Sequence, residues 1–124
     1  MNITQKITIE ERDIPLLLNL SALAEILDQI GEVTDFRELF SGKKRLKHTI
    51  TLITILGNTG LAEIGKPADL TEEYIGKHLH PLYVGEAQAA CMAAITDGMR
   101  VETKPADDGP RDMTLEEIEK KSTR

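Results

Sequence analysis

The spacing of apolar residues changes period once along this chain of 124 residues. Up to residue 20 the period is two: Ile3, Ile7 and Ile9 precede the charged step Glu10-Glu-Arg-Asp13, and Ile14, Leu16, Leu18 and Leu20 alternate after it. Beyond that point the spacing is helical. Two period-two runs across a polar step predict a β-hairpin. Pro15 has no N–H to give to a ladder, so it belongs at a strand start or an edge. A two-stranded ribbon is marginal alone in water, and its apolar face requires helices behind it. The fold class that follows is α+β, mainly α: an N-terminal hairpin packed on a bundle of about five helices.

Asn19 or Ser21 caps the first helix, and with Asn19 as the cap Leu18 and Leu23 form a hydrophobic staple. Leu23, Ile26, Leu27 and Ile30 then share a face, and Gly31 stops the helix. Thr34 is expected to cap a short second helix carrying Phe36, Leu39 and Phe40 and ending at Ser41-Gly42. The third segment, from Lys43 to about Gly57, has two readings. Leu46, Ile50, Ile53 and Gly57 mark one face of a helix, whereas Thr49-Ile-Thr-Leu-Ile-Thr-Ile55 is rich in β-branched residues, which lower helix propensity slightly. Adjacent Leu52 and Ile53 spoil a strand alternation, and the length favours the helix. Gly57-Asn-Thr-Gly60 is expected to break or bend it, and Gly65-Lys-Pro67 to form a loop. Thr71 caps a fourth helix with Glu72 and Glu73 in its first turn, where acids suit the macrodipole, and with Leu70 and Ile75 as staple. His80-Pro81 ends it. A fifth helix runs from about Leu82 to Asp97, buries Val84, Ala87, Cys91 and Ile95, and stops at Gly98.

Aliphatic content divides the chain in two. Leu, Ile, Val and Phe total 33, and all but Val101, Leu115 and Ile118 lie in residues 1–100. A body of that size buries enough surface to fold without a disulfide or metal. With two Tyr, two Phe and no Trp in the whole chain, its core must be aliphatic. Residues 101–124 read as an acidic Pro/Gly linker, Lys104-Pro-Ala-Asp-Asp-Gly-Pro-Arg-Asp112, followed by a marginal helix over residues 115–121. Thr114-Leu-Glu-Glu117 is its capping box, and Met113 and Ile118 its staple. A helix that short is barely stable alone, so a flexible tail is expected unless it meets a partner. The single Cys91 leaves no internal disulfide and fits a reducing compartment. No apolar run approaches the ~18 residues of a membrane span, and the first residues lack a signal-peptide core. A cytoplasmic chain with no membrane partner is expected.

Candidate chemistry is sparse. His78, His80 and Cys91 are the nearest set of metal-ligating types, but residues two apart on a helix point to different sides, which suits a shared zinc poorly. Cys91 with a histidine could pair nucleophile and base, yet on an alanine-rich stripe a cysteine behaves as a small buried hydrophobe. Asp107-Asp108-Gly109 lacks the further oxygen ligands of a calcium loop, and Gly57-Asn-Thr-Gly60 lacks the Lys-Ser or Lys-Thr of a phosphate loop. No catalytic residue, cofactor or metal is therefore assigned, and the chain is read as a non-enzyme. The sharpest charge feature is Lys43-Lys-Arg-Leu-Lys47. Its plain reading is a solvated helix start, which opposes the macrodipole; its functional reading is a patch for an acidic protein surface or phosphate. Lys43, Lys44, Arg45 and Lys47, with Leu115 and Ile118 of the tail, are the candidate partner-binding residues. A formal charge of −6 disfavours nucleic acid as the partner. The alternative to a protein-binding role is a small phage or bacterial DNA-binding regulator using the basic helix at residues 43–47.

The order of elements resembles the tail assembly chaperones of long-tailed bacteriophages and prophages. The likeness is one of pattern over roughly residues 3–100. A hairpin runs into Pro15-Leu-Leu-Leu-Asn-Leu-Ser-Ala-Leu-Ala-Glu-Ile26; a short Phe/Leu helix follows, then a long aliphatic helix closing at Gly57-Asn-Thr-Gly60. Leu70-Thr-Glu-Glu-Tyr-Ile75, the Leu79-His-Pro81 break and an alanine-rich helix ending at Gly98-Met99 complete it. The resemblance implies a mainly helical protein that coats the tape-measure protein, helps recruit tail-tube subunits and is absent from the finished virion; self-association of the body is expected from its aliphatic surface and free hairpin edge. Many such genes also yield a longer frameshifted product, and Lys120-Lys121 is compatible with a slippery codon pair near the end.

Overall fold

The computed structural model describes residues 3–100 of the chain. The linker, the capping box at residues 114–117 and the helix expected over residues 115–121 lie outside the described residues, as do Leu115 and Ile118.

Strands β1 (Gln5–Ile9) and β2 (Arg12–Leu16) form the expected antiparallel hairpin, with Ile7 opposite Ile14 and Ile9 opposite Arg12. Ile7, Ile9, Ile14 and Leu16 are buried on one face. The other face carries Lys6, Thr8 and Asp13, and both the Thr8 hydroxyl and the Lys6 ammonium donate to the Asp13 carboxylate. The charged step is shorter as a turn than its four residues suggested. Only Glu10 and Glu11 leave the ladder, because Arg12 and Asp13 have partners as strand residues: Arg12 donates to Asp69 at 2.8 Å and Asp13 accepts from Thr8. The alternation also stops early. Leu17 and Leu18 are both buried, and Leu20, expected to continue the strand pattern, is 81% exposed at the first position of the helix that follows.

Four α-helices pack behind the hairpin: α1 (Leu20–Ile30), α2 (Arg45–Glu63), α3 (Glu72–His78) and α4 (Val84–Met99). A 3-10 turn over Phe36–Phe40 supplies the short second helix, and another over Pro81–Tyr83 leads into α4. Asn19 caps α1 by accepting from the Ala22 N–H at 2.8 Å, and Gly31 ends it with φ of +104°. The cap of the Phe36–Phe40 turn is Asp35 rather than Thr34; its carboxylate accepts from both the Arg37 N–H and the Arg37 guanidinium. Thr71 caps α3, and Leu70 and Ile75 are both buried there.

Helix α2 is the centre of the molecule, and it departs most from expectation. It does not break at Gly57 but continues to Glu63. Three of its four threonines, poor helix residues by propensity, return their hydroxyls to the carbonyl four residues earlier: Thr49 to Arg45, Thr54 to Ile50 and Thr59 to Ile55. The buried Thr51 donates to the Glu72 carboxylate at 3.2 Å. The two glycines are contact points, not breaks. A methyl group on Gly60 would overlap the Pro15 carbonyl, and one on Gly57 would press on Leu70 Cδ1 and Ile14 Cγ2. β2 thus lies directly against the helix backbone, and the Leu17 N–H donates to the Leu56 carbonyl at 3.1 Å. Beside β2, Asn58 holds the loop before α3 by two bonds to the Leu70 backbone, giving to its carbonyl and accepting from its N–H. The buried face of α2 is broader than the stripe expected. Thr49, Leu52, Ile53, Ile55, Leu56, Gly60 and Leu61 are all buried, while Leu46, expected in that stripe, is 52% exposed.

In α4 the side chains of Ala87, Cys91, Ala94 and Ile95 are buried, with Val84 only half-buried at its start. Gln88 donates to the Thr49 hydroxyl at 3.0 Å. Gly98, near the other end of α4, lies against Leu18, next in the chain to the Leu17 that bonds Leu56 of α2. Helices α2 and α4 therefore run in the same general direction, and their N-terminal ends lie at one end of the molecule. No helix among the described residues is long and apolar enough to cross a membrane.

Candidate interaction surface

Every described helix but α2 starts with a side-chain cap or an acid in its first turn, the latter being Glu86 in α4, whose cap position Tyr83 makes no side-chain bond. Asn19 and Thr71 close α1 and α3, α3 adds Glu72 and Glu73, and the turn before α4 is capped by His80 Nδ1, which accepts from the Leu82 N–H at 3.1 Å. At α2 the cap position is Lys44, no side chain accepts from the free N–H groups, and the first turn holds no acid. In their place stand Lys43, Lys44, Arg45 and Lys47, all exposed. Fixed cations add to the positive end of the helix dipole instead of offsetting it. Lys47 comes within 4.0 Å of Glu72, and the Arg45 guanidinium donates to the Gly42 carbonyl at 2.9 Å. Lys43 and Lys44 take part in no ion pair among the described residues.

Exposed apolar side chains outside the candidate partner-binding set accompany this cluster. Leu46 sits within it, and Leu82 and Tyr83 are 82% and 54% exposed just before α4. The contact between Gln88 and Thr49 brings the start of α4 level with the start of α2, so both groups occupy the same end. The signal for Leu82 and Tyr83 was their place after His80-Pro81, where a new helix had to begin outside the core. The four basic candidates are thus brought together; Leu115 and Ile118 lie outside the described residues.

A strand edge and two clefts are the other features of the described surface. The outer backbone edge of β1, at Lys6 and Thr8, pairs with no further strand among the described residues, and Lys6 on it guards against pairing. A cleft of about 750 Å³ lies between the start of β1, Leu18 and the end of α4, where the Asp97 carboxylate accepts from Thr4 at 2.8 Å. A shallower one of about 460 Å³ separates Phe36 from Met92 and Met99.

The residue types weighed for catalysis or metal binding are dispersed. Cys91 is buried, and burial alone pushes its thiol up to about 12. His78 Nδ1 lies 2.9 Å from the Glu10 carboxylate at the hairpin tip, and His80 serves as a cap. No group of three or more His, Cys, Asp or Glu side chains converges among the described residues. No protein-family model matches the chain, nor does any curated protein or solved structure.

Proposed function

We propose that this chain is a non-enzymatic tail assembly chaperone of a long-tailed phage or prophage, acting in the host cytoplasm on the tape-measure protein and helping to recruit tail-tube subunits. The observation that carries the reading is the order of elements. A hairpin, a capped helix, a short Phe/Leu turn, a long aliphatic helix, a Thr-capped helix and an alanine-rich helix follow one another in the order on which the resemblance rests, although the long helix runs past Gly57-Asn-Thr-Gly60 to Glu63. The surface supports it: a basic end with Leu46, Leu82 and Tyr83 exposed suits amphipathic helices that carry acidic residues. A chaperone of this kind needs adhesive surface rather than a reactive centre. Self-association is part of the proposal, through the same apolar side chains.

The test is co-expression with the tape-measure gene of the same locus. The reading requires the tape measure to become soluble only in the presence of this chain and to elute with it as one complex. Equal solubility with and without the chain, and separate elution, would sink it. A salt-dependent gel shift on upstream DNA, with no tape-measure complex, would instead favour a regulator acting through residues 43–47.

A further inference from the structure

We infer that residues 113–119 of the chain's own C-terminal segment dock on the basic end formed by the starts of α2 and α4. The inference does not depend on the chaperone reading. It begins from the start of α2, which carries four cations and alone among the described helices has neither a side-chain cap nor a first-turn acid; α1 and α3 are capped, and the uncapped α4 has Glu86. Such a departure from local consistency is expected where a contact elsewhere compensates it. The compensating contact must supply negative charge for Lys43, Lys44 and Arg45, and apolar cover for Leu46 and Leu82.

Met113-Thr-Leu-Glu-Glu-Ile-Glu119 has both. Met113, Leu115 and Ile118 are apolar, and Glu116, Glu117 and Glu119 are interleaved with them. Reach is sufficient. Helix α4 has 16 residues, so about 24 Å separate its end from the basic end of the molecule. The twelve residues between Arg100 and Met113 span up to ~40 Å when extended, and Pro105 and Pro110 favour extension. Tethering makes the encounter intramolecular, at an effective concentration on the order of millimolar. Weak, screened ion pairs are therefore enough to populate the contact. Its consequence is a basic end covered by the chain itself, which an incoming acidic helix must displace.

The full-length chain carrying Ser122→Cys with a nitroxide label tests this by amide NMR. The buried Cys91 is protected from the reagent, so the label goes to one site. The expected result is a loss of amide signal at residues 43–47 and at Leu82 and Tyr83. That loss should be relieved by about 1 M salt, where the Debye length is ~3 Å. It should also be relieved in K43E/K44E, and restored when E116K/E117K is added to that variant. Undiminished signals at these amides in the unsubstituted chain would overturn the inference. So would equal losses when the label is on one chain and the observed amides are on another, since the occupant would then be a second copy.

Discussion

Glu10 and Glu11 carry backbone φ of +52° and +67°, the only described non-glycine residues with positive φ. Positive φ at both central residues is the mark of a type I′ turn, one of the two hairpin turns that match the twist of the flanking strands. The usual residues are Asn and Gly; an L side chain there costs roughly 1–2 kcal/mol. Glu10 has a compensating contact with His78, whereas Glu11 is exposed and makes no side-chain hydrogen bond or ion pair among the described residues. Glu11→Gly should therefore stabilise the fold. The gain is the relieved strain less the larger backbone entropy of glycine in the unfolded chain, which leaves about 0.5–1 kcal/mol. Urea unfolding would show it as a raised midpoint at unchanged slope. A lowered midpoint would mean that the Glu11 side chain makes a contact worth more than the strain. This turn also marks how far single residues were legible. Charge located the step between the strands, but its exact limits depended on partners distant in the chain, Asp69 for Arg12 among them.

Elements were legible where local chemistry alone decides them. The alternation of Ile7, Ile9, Ile14 and Leu16, the Asn19 and Thr71 caps and the stop at Gly31 are near-neighbour signals, and each appears where it was expected. Helix α2 was misjudged at Gly57 and Gly60 because glycine has two meanings that sequence does not separate: a stop, or a place where another backbone comes close. The exposure of Leu46 was likewise invisible, since periodicity gives a face but not where the neighbouring helices end. The close-approach meaning makes a prediction with opposite signs on two helices. In Gly60→Ala a gain of ~1 kcal/mol in helix propensity opposes a clash with the Pro15 carbonyl, a backbone atom that cannot rotate away. Overpacking of this kind costs about 1–3 kcal/mol, so the net effect is destabilising. In Gly76→Ala, within α3, the new methyl meets only Ile50 Cδ1 at 3.7 Å, an ordinary contact. The propensity gain survives there, and stability should rise by roughly 0.5–1 kcal/mol. Thermal unfolding of the pair tests the claim. A stabilised Gly60→Ala would show that β2 is not seated on the helix.

For the molecule as a whole, the carboxylates that join distant segments decide how stability responds to acid. Arg12 holds Asp69 below the usual carboxylate range by a direct hydrogen bond and so ties the loop before α3 to β2. The Thr4 hydroxyl, then Gln5, lowers Asp97 and ties the end of α4 to the start of β1. Thr8 and Lys6 lower Asp13 across the hairpin, and Arg37 lowers Asp35 locally. All four are solvent-facing, so each contributes little and salt weakens each. Their signs nevertheless agree. A carboxyl group whose pKa is depressed on folding stabilises the fold at any pH above its unfolded value of ~3.9, and that contribution disappears as pH falls through the folded value. The melting temperature should therefore vary little on these groups' account between about pH 5 and 8 and decline below pH ~4. The falling net negative charge, −6 at neutrality, crosses zero near pH 5.1 and then adds repulsion between cations in the same acid range. Asp69→Asn separates the two effects, because it removes one linkage and scarcely alters the net charge at low pH. Its melting temperature should lie below that of the unsubstituted chain at pH 7, and the two curves should converge as the acid limb is descended. Curves that stay parallel to the lowest pH would mean that Asp69 stabilises through packing rather than through its charge. The contact between the loop and β2 would then rest on Asn58 and its two bonds to Leu70.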